Sequence, residues 1–443
     1  MSDARDAVLP AGATWLRRVA AGEGPIYRRL FEALRGAIAD GELSAGEQLP
    51  PQRTVAGLLG VDFTTVTRAY ALAREQGLVE GTAGRGTFVR LRAGEEEAGL
   101  VDLSMNLPPP PQGLSLGALL RETTADVLAR TDPATLMAYH AGAGSLAQRG
   151  AGAAWMAPGL GAADPERVVV CAGAQAALSA ILAVETAPGD AVVVEALTYP
   201  GLLAALAARG VRAIACPMDG EGIVPEALAE QLAASGARLV VVTPTWQNPT
   251  TATMGEDRRA AVVEVCARAG ARIVEDDAYG RLPDPAPTAL TSLAPDRVWH
   301  VATLAKALTP GLRIAYVAAP NAAAAQRLAA AGHALCQMPA PLMAAVATAW
   351  IREGTAEAVL SGVRAEALAR RALAAEILPH AKGPAGCLHV WLEQAAGNAP
   401  EGLSLARADL FSASRDAGRP GARLSLGAPG KRSVLAEALR RLV

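Results

Sequence analysis

The sequence has few lysines, few cysteines and almost no net charge. Its 443 residues carry 41 basic and 43 acidic side chains, a formal charge of −2. This excludes a generally basic protein that coats polyanions, although it allows a local nucleic-acid site. The five cysteines are odd in number, far apart and without a C-x-x-C pair, which excludes a disulfide scaffold or a cysteine-rich zinc module and favours a reducing compartment. Only three basic residues are lysines, Lys306, Lys382 and Lys431, so each lysine calls for an explanation.

The sequence also lacks the patterns of export and of membrane spans. The residues around Arg5 do not form the charged-then-apolar pattern of a leader. The longest apolar-looking stretch, residues 330–350, is interrupted by His333, Gln337 and two prolines. We therefore expect a cytoplasmic protein. A composition of 51% hydrophobic and 19% charged residues suits two or three folded domains with a large core.

The first ninety residues have the pattern of a small helical domain with a hairpin. Apolar residues recur at every fourth position from Ile26 to Ile38, which predicts a helix that ends at Asp40-Gly41. A second, short helix over 52–59 follows, and then a third helix from an Asp62 cap to about residue 76. Two short strands joined by a glycine-rich turn complete the segment. This order of elements is that of a winged helix-turn-helix.

Such a unit binds DNA through helix N-termini, hydroxyls and arginines. The candidate DNA-binding residues lie at the start of the second helix, in the first turns of the third helix and at the hairpin tip: Arg53, Thr64, Thr65, Arg68, Arg85 and Gly86. Residues 1–90 hold 11 arginines and 10 acidic residues. That balance favours the alternative of a three-helix packing module whose arginines only solvate its surface, whereas the element order and the wing favour double-stranded DNA as partner.

Residues 25–89 resemble the DNA-binding domain of GntR-type bacterial regulators. The resemblance lies in the elements LPPQR, GVxxTTV and GxGTFV, which are specific in combination. It implies that Arg53, Thr64, Thr65, Arg85 and Gly86 touch DNA. The family usually has arginine where this chain has Phe63, and a phenyl ring can press on a thymine methyl but cannot bond a guanine edge.

The rest of the chain predicts an α/β domain. We expect an N-terminal extension (1–24), the winged helix-turn-helix (25–90), a linker (91–100) and a large domain (101–443) with a smaller C-terminal α+β subdomain from about residue 330. Buried strand-like runs alternate with helical segments in the large domain at 167–173, 190–196, 238–244, 272–277 and 297–305. Such runs are typical of a mainly parallel central sheet, whose ligands lie beyond the carboxyl ends of the strands.

The ends of these five runs, and the residues just after them, carry groups that could bind a ligand: Gly173, Ala174, Gln175, Tyr199, Asn248, Asp276, Tyr279, Thr303, Lys306 and Arg313. Taken singly, each has an ordinary structural explanation, such as a turn former or, for Lys306, a solvated lysine at a helix end. Together they match the needs of pyridoxal 5′-phosphate (PLP): an amine for its aldehyde, a carboxylate for its pyridine nitrogen, an aromatic plane, donors for its phenolic oxygen and a phosphate site. Lysine can lose its proton and attack an aldehyde, which guanidinium cannot do.

Residues 101–443 resemble the fold-type I PLP enzymes of the class I/II aminotransferase group. The resemblance implies that Lys306 forms the imine with PLP and that Asp276 pairs with the pyridinium, as the catalytic residues. It also implies that Asn248 and Tyr279 contact the phenolic oxygen and that Tyr199 stacks on the ring. The resemblance assigns the phosphate to Gly173, Ala174, Gln175, Thr303, Arg313 and, across a dimer interface, Tyr139. It assigns the substrate side to Asn106 and a ligand carboxylate to Arg423.

The sequence departs from the family pattern at Ala305, where many relatives have serine, and at Thr251, where the N-P-T-G signature has glycine. A GntR-type winged helix joined to such a domain resembles the MocR subfamily. The resemblance implies a homodimeric, PLP-dependent transcriptional regulator that senses an amine or amino acid by external aldimine formation. Two alternatives stay open: an active aminotransferase with an accessory DNA-binding domain, and a DNA-binding protein with an inactive cofactor fold.

Overall fold

The computed structural model describes residues 13–21, 24–39, 42–43, 47–82, 86–89, 101–140, 142–394, 399–414 and 420–443. The chain divides into two compact units, Met1–Leu100 and Val101–Val443. The predicted linker, 91–100, and Arg85 lie outside the described residues.

The first unit contains three helices and a hairpin, as predicted. They are α1 (Ile26–Ala39), α2 (Gln52–Leu59), α3 (Phe63–Glu75), β1 (Val79–Thr82) and β2 (Gly86–Val89), with the two strands antiparallel. The Asp62 side chain caps α3 by accepting a hydrogen bond from Thr64 N at 2.8 Å. Gly60 ends α2 with φ 63°, a left-handed conformation that glycine adopts at little cost. The tight turn between α2 and α3 follows from these two caps.

An element ahead of α1 adds to the core of this unit. Residues Thr14–Ala21 form a 3-10 helix whose Trp15 is completely buried among core residues that include Leu30 and Leu34. Arg29 Nε donates to Val19 O at 2.9 Å. The packing of this unit therefore extends ahead of the predicted start at residue 25.

The second unit is an α/β domain. Its helices are α4 (Leu116–Arg130), α5 (Pro133–Leu136), α6 (Leu146–Leu160), α7 (Ala174–Glu185), α8 (Pro200–Arg209), α9 (Pro225–Ser235), α10 (Glu256–Arg268), α11 (Leu290–Leu293), α12 (Leu304–Ala307), α13 (Ala322–Cys336), α14 (Pro341–Arg352), α15 (Thr355–Ile377) and α16 (Arg432–Arg440). Its strands are β3 (Val101–Asp102), β4 (Val168–Cys171), β5 (Ala191–Glu195), β6 (Arg212–Cys216), β7 (Met218–Asp219), β8 (Gly222–Ile223), β9 (Leu239–Val242), β10 (Arg272–Asp276), β11 (Val298–Thr303), β12 (Ala315–Ala318), β13 (His389–Leu392), β14 (Leu403–Ser404), β15 (Ala406–Arg407) and β16 (Ala422–Ser425).

The main sheet has seven strands in the order β4-β12-β11-β10-β9-β5-β6. Strand β12 runs antiparallel to both neighbours, and the other pairs are parallel. The sheet is buried on both faces: valines such as Val192 and Val274 pack with α7, α8 and α13, while Val193 and Val240 pack on the other face with α9 and α10. The prediction of a mainly parallel sheet is confirmed, and all five strand-like runs form strands.

A smaller α+β part follows near the C-terminus. Strands β13, β16 and β15 form an antiparallel sheet that shares a hydrophobic core with α15 and α16. Strand β3, at the beginning of the unit, pairs with β14 of this part. Within the described ranges, no helix is long and apolar enough to cross a bilayer.

Candidate functional site

The polar side chains singled out in the sequence gather at one edge of the main sheet. Strands β5, β9, β10 and β11 are neighbours and parallel, so their carboxyl ends meet at this edge. The chain beyond these ends carries Tyr199, Asn248, Asp276 and Lys306, and β4 contributes Gly173. The topology thus explains why residues far apart in the sequence form one site.

Lys306 lies in the short helix α12, directly after β11. Thr303 caps the start of this helix, since its hydroxyl accepts from Ala305 N at 3.2 Å. Lys306 Nζ donates to the backbone oxygen of Asn106 at 2.5 Å. Burial and the charge of Arg423 lower the pKa of Lys306 to about 8, although Asp276 acts in the opposite direction. An amine with this pKa has an appreciable unprotonated fraction near neutral pH and can act as a nucleophile.

Asp276 ends β10 and is 7% exposed. Its Oδ1 is buried and has no hydrogen-bond partner among the described residues. Burial and the nearby Asp277 raise the pKa of Asp276 to about 7, while Lys306 lowers it. A buried carboxylate oxygen without a donor costs free energy, and a protonated ring nitrogen is a group that would satisfy it.

A buried charge network lies on the strands next to Asp276. His300, on β11, contacts Glu275 Oε2 through Nδ1 at 2.9 Å and lies 3.7 Å from Asp277 Oδ2 through Nε2. Burial alone would lower the pKa of His300, but the Glu275 carboxylate raises it overall. The positive charge that this favours on His300 lowers the pKa of Asp276 and thus favours its ionised form.

Arg423, on β16, brings a guanidinium to the same site. Its Nη1 donates to Asn248 Oδ1 at 2.8 Å, and its Nη2 donates to Ser104 O. The guanidinium carbon lies 5.0 Å from the centre of the Phe411 ring. Its buried Nε finds no acceptor among the described residues, which leaves a donor for a ligand carboxylate. Because the Asn248 oxygen accepts from Arg423, its Nδ2 group is the side that can donate to a ligand.

Asn106, before α4, connects Lys306 to the phenol of Tyr279. Its Nδ2 donates to Tyr279 Oη at 2.9 Å and contacts His389 Nδ1 at 3.1 Å. Burial raises the pKa of Tyr279, so the phenol keeps its proton and stays a donor. The structure therefore brings Asn106 and Tyr279 together with Lys306.

The start of α7 forms a cradle suited to an anion. Gly173 precedes the helix with φ +91°, and a Cβ at this position would lie 2.9 Å from Arg313 Nη2. The first backbone N–H groups of α7, from Ala174 and Gln175, have no intrahelical acceptor. The Gln175 side chain is held by a 2.8 Å hydrogen bond to Gly201 O. Backbone amides and a guanidinium at one point are the groups that bind phosphate in proteins.

Substituting alanine for Gly173 is expected to weaken this cradle. The new Cβ would displace Arg313, and a positive φ is strained for an L-residue, at a cost of about 1–3 kcal/mol. We expect inorganic phosphate and phosphorylated ligands to bind about tenfold more weakly in equilibrium dialysis. Gly117→Ala, in α4 with open space around it, is the matched control and should bind as the wild type does. Equal binding by both variants would contradict the cradle.

The two tyrosines assigned by resemblance differ in their surroundings. Tyr199 directly precedes α8 and is half-buried. Burial raises its pKa, and the charges of Asp276, Arg313 and Arg423 also act on it, which is consistent with a place in the cluster. Tyr139 is 81% exposed, and its role across a dimer interface stays a prediction.

The candidate DNA-binding surface lies in the first unit. Arg53, Thr64 and Arg68 are exposed and Thr65 is half-buried, and the Arg68 guanidinium lies 4.0 Å from the Tyr27 ring centre. The Thr64 hydroxyl donates to the Asp62 cap.

Two further observations concern base reading and the wing. Phe63 is 44% exposed at the start of α3, with the Arg53 guanidinium 5.9 Å from its ring centre. Gly86 has φ +116°, a backbone conformation that is strained for other residues, so the wing strand favours glycine at this position. The individual DNA contacts stay predictions.

Several residues of the site carry no signal in the sequence. Gln247, next to Asn248, donates through Nε2 to Glu195 Oε2 at 2.9 Å and to Leu197 O at 2.6 Å. Burial raises the pKa of Glu195 to about 8. Glu195, Gln247 and His389 lie within or next to apolar runs that predict only strands and loops, so sequence reasoning missed them.

The fold and site define a two-part protein: a winged helix-turn-helix and a fold-type I aminotransferase domain. The family model "Bacterial regulatory proteins, gntR family" matches residues 26–89, and the model "Aminotransferase class I and II" matches residues 98–394. The chain belongs to the GntR-type HTH transcriptional regulators of the MocR kind, which carry an aminotransferase class I/II domain. It is thus a DNA-binding transcriptional regulator with an aminotransferase-like domain.

Three relatives illustrate this membership. The uncharacterized HTH-type transcriptional regulator YdeF of Bacillus subtilis is 29% identical, over 70% of this chain and 68% of the relative. The pyridoxine biosynthesis regulator PdxR of Corynebacterium glutamicum is 31% identical, over 67% of this chain and 66% of the relative. The probable rhizopine catabolism regulatory protein MocR of Rhizobium meliloti is 30% identical, over 67% and 66% respectively.

Two solved aminotransferase structures are similar to this chain. The α-aminoadipate aminotransferase LysN of Thermus thermophilus, complexed with N-(5′-phosphopyridoxyl)-L-leucine, has a TM-score of 0.69 and 25% identity, covering 84% of this chain and 96% of its own. The kynurenine aminotransferase of Pyrococcus horikoshii has a TM-score of 0.71 and 24% identity, covering 84% and 97%. The second likeness shows the fold alone.

Proposed function

We propose that the chain is a PLP-dependent regulator in which Lys306 binds PLP covalently and an amino compound acts as the effector. The observation that carries this proposal is the placement of the Lys306 amine, with its lowered pKa, in one cluster with Asp276, whose buried Oδ1 has no partner among the described residues. An amine for the aldehyde and a carboxylate for the pyridine nitrogen are the two groups that PLP chemistry needs most.

The other residues of the site fit the remaining parts of PLP. Asn248 Nδ2 and Tyr279 Oη are donors suited to the phenolic oxygen, and the Tyr199 ring is suited to stack on the pyridine. The phosphate would be held by the α7 cradle and its neighbours: Gly173, Ala174, Gln175, Thr303 and Arg313. When bound, PLP supplies an aldehyde carbon at which one primary amine can replace another.

Two groups point to the class of effector. Arg423 offers donors for a carboxylate, and an amine is required to compete with Lys306 for the aldehyde carbon. Lys306 Nζ, once released, has an acceptor in Asn106 O. An amino acid that is bound more tightly in one arrangement of the protein shifts DNA affinity by that difference in binding free energy and no more.

We further propose a homodimer that acts on operator DNA. Large apolar side chains are exposed on the second unit, among them Tyr139 at 81%, Leu146 at 67% and Met137 at 60%, and a dimer interface would cover such side chains. A two-fold dimer would bring Tyr139 to the phosphate site of the partner and two winged helices to two half-sites. Because its partner is DNA, we expect the protein to act in the cytoplasm.

A combined binding experiment tests the proposed function. A duplex is selected from a random pool with the purified protein, and its affinity is measured by gel shift with and without PLP and a panel of amino acids and amines. Absorbance is recorded on the same samples. We expect at least one amino acid to change both the cofactor absorbance and the DNA affinity. A spectral response with unchanged DNA affinity across the panel would contradict the regulator.

The same samples also distinguish the aminotransferase alternative. The presence of Lys306 and Asp276 in one cluster is compatible with proton transfer at a bound amino acid. Multiple turnover of an amino acid with a 2-oxo acid, without DNA, would favour catalysis. A ligand response without turnover would favour sensing alone.

A further inference from the structure

His389, a residue with no role assigned so far, connects three parts of the candidate site. It begins β13, is completely buried, and pairs in register with Ser425 of β16, the strand that also carries Arg423. Its Nδ1 contacts Asn106 Nδ2 at 3.1 Å, and its Nε2 contacts Gln247 O at 3.4 Å. The imidazole therefore bridges the strand-end segment before Asn248 and the segment that holds the Lys306 amine.

The partners of His389 determine which nitrogen carries the proton. The Gln247 backbone oxygen can only accept, so Nε2 must be the donor. Burial and the charge of Arg423 lower the pKa of His389 to about 3, so the ring is neutral and Nδ1 is an acceptor. The Cys387 thiol lies 3.8 Å from Nδ1. Burial raises its pKa to about 12, so it keeps its proton and can donate to this nitrogen.

An acceptor at His389 Nδ1 fixes the amide of Asn106. Asn106 must turn its NH₂ group towards Nδ1, and the second hydrogen of that group is donated to Tyr279 Oη at 2.9 Å. The carbonyl oxygen Oδ1 then faces the other way. Asn106 is 5% exposed, and its Oδ1 is buried with no donor among the described residues. An acceptor is thus left over on the residue whose backbone oxygen accepts from the Lys306 amine.

We propose that His389 is a positioning residue that holds Asn106 Oδ1 in place to accept a hydrogen bond from the free amino group of an amino-acid ligand, before that group competes with Lys306 for the aldehyde. The inference rests on the proposed function, since it assumes a ligand whose carboxylate binds Arg423. The amino group supplies the N–H donor that a buried acceptor requires. A carboxylic acid without an amino group, or with a carbonyl in its place, has no donor for this oxygen and binds less tightly.

Two substitutions of His389 separate its two hydrogen bonds. In His389→Asn, the new Oδ1 lies near the place of Nδ1 and keeps the acceptor for Asn106. In His389→Gln, the new Nε2 lies near the place of the ring Nε2 and keeps the donor to Gln247 O, but the Nδ1 acceptor is lost. Both remove the ring, so any general effect of repacking is common to the two variants. Melting curves confirm that each variant is folded.

The binding test uses L-alanine and propionate, which share a carboxylate and differ in the amino group. Calorimetry uses the full chain in which borohydride has reduced PLP onto Lys306, so that the amino group of L-alanine cannot condense with the aldehyde. The wild type is expected to prefer L-alanine. In His389→Gln, L-alanine affinity should fall about three- to tenfold, the usual effect of one lost hydrogen bond, while propionate affinity stays unchanged. His389→Asn should keep the preference. Equal loss in both variants, or a wild type without preference for L-alanine, overturns the inference.

A second measurement does not depend on any ligand. With ¹⁵N-labelled histidine, the five histidines of the chain give signals that report protonation and tautomer, and His389→Gln identifies the signal of His389. We expect a neutral ring with the proton on Nε2 throughout the neutral range. A charged ring, or a proton on Nδ1, overturns the inference even where amino acids bind. A wild type that has the expected tautomer but responds to no amino acid would instead contradict the proposed function, and with it the ligand assigned to Asn106.

Discussion

Lys306→Ala is expected to abolish covalent attachment of PLP and, with it, every effect of amino compounds on DNA binding. The lysine amine is the nucleophile of the site, and its lowered pKa of about 8 keeps part of it unprotonated near neutral pH. Alanine offers no nucleophile, and Lys306→Arg retains a charge but cannot form the bond. Without ligand, gel shifts with the selected duplex should show that the variant binds DNA within about threefold of the wild-type affinity. That factor corresponds to a binding free-energy difference of less than about 1 kcal/mol. The ligand-induced change should be absent.

The other lysines supply the control for this experiment. Lys382 is exposed and forms an ion pair with Glu393 at 2.5 Å, so Lys382→Ala should respond to ligands as the wild type does. Exposed ion pairs contribute little to stability, and the variant should fold normally. The account is contradicted if Lys306→Ala still changes its DNA affinity when PLP and amino acids are added.

Asp276→Asn is expected to weaken PLP binding and to stabilise the protein without PLP. An asparagine cannot supply the negative charge that keeps a pyridine nitrogen protonated. Hydrogen bonds to charged groups contribute about 1.5–3 kcal/mol, so PLP should bind roughly ten- to a hundredfold more weakly. In the protein without PLP, the same carboxylate is buried with Oδ1 unpartnered among the described residues, and its removal relieves that cost.

The sign of the stability effect depends on pH. Burial raises the pKa of Asp276 from its ordinary value of 3.8 to about 7 in the folded protein. Between these values the carboxyl group is ionised in the unfolded chain but still protonated in the folded protein, so the wild type loses stability as pH rises. The gain in melting temperature of Asp276→Asn should therefore increase from about pH 4 to about pH 7 and then level off. Titration with PLP and melting curves without PLP measure the two effects. A variant that binds PLP as the wild type does would contradict the role of Asp276.

Much of the fold follows from short patterns in the sequence. The spacing from Ile26 to Ile38, the Asp62 cap and the glycine-rich turn predict the winged helix-turn-helix, because each is decided by neighbouring residues. The valine-rich runs predict the buried sheet for the same reason. Strand β6 and the antiparallel strand β12 were not predicted, since their short runs resemble the helical segments around them.

The sequence predicts the part of the candidate site whose residues are brought together by the sheet topology alone. Asn248, Asp276 and Lys306 follow strands that are parallel neighbours, so their proximity follows from the rule that strand ends meet at one edge. The scarcity of lysine marked Lys306, and the structure places it among buried charges while Lys382 lies in solvent.

The remaining parts of the site depend on contacts across long stretches of chain. Lys306 is bound by a residue 200 positions away, and Asn106 meets His389 across 283 positions. Ser104 offers only a backbone oxygen to Arg423, and no side chain marks such a contact in the sequence. These contacts are decided by how the C-terminal sheet packs against the strand ends, which local patterns do not specify.

The central claim is a covalent bond between the Lys306 side chain and the aldehyde of PLP. Borohydride reduction of the PLP-loaded protein, followed by peptide mapping, tests it most directly. The account predicts a single phosphopyridoxyl label on the peptide that contains Lys306, and none on the peptides of Lys382 and Lys431. An unlabelled Lys306 in protein that has bound PLP would contradict the claim and leave only the DNA-binding unit with an assigned function.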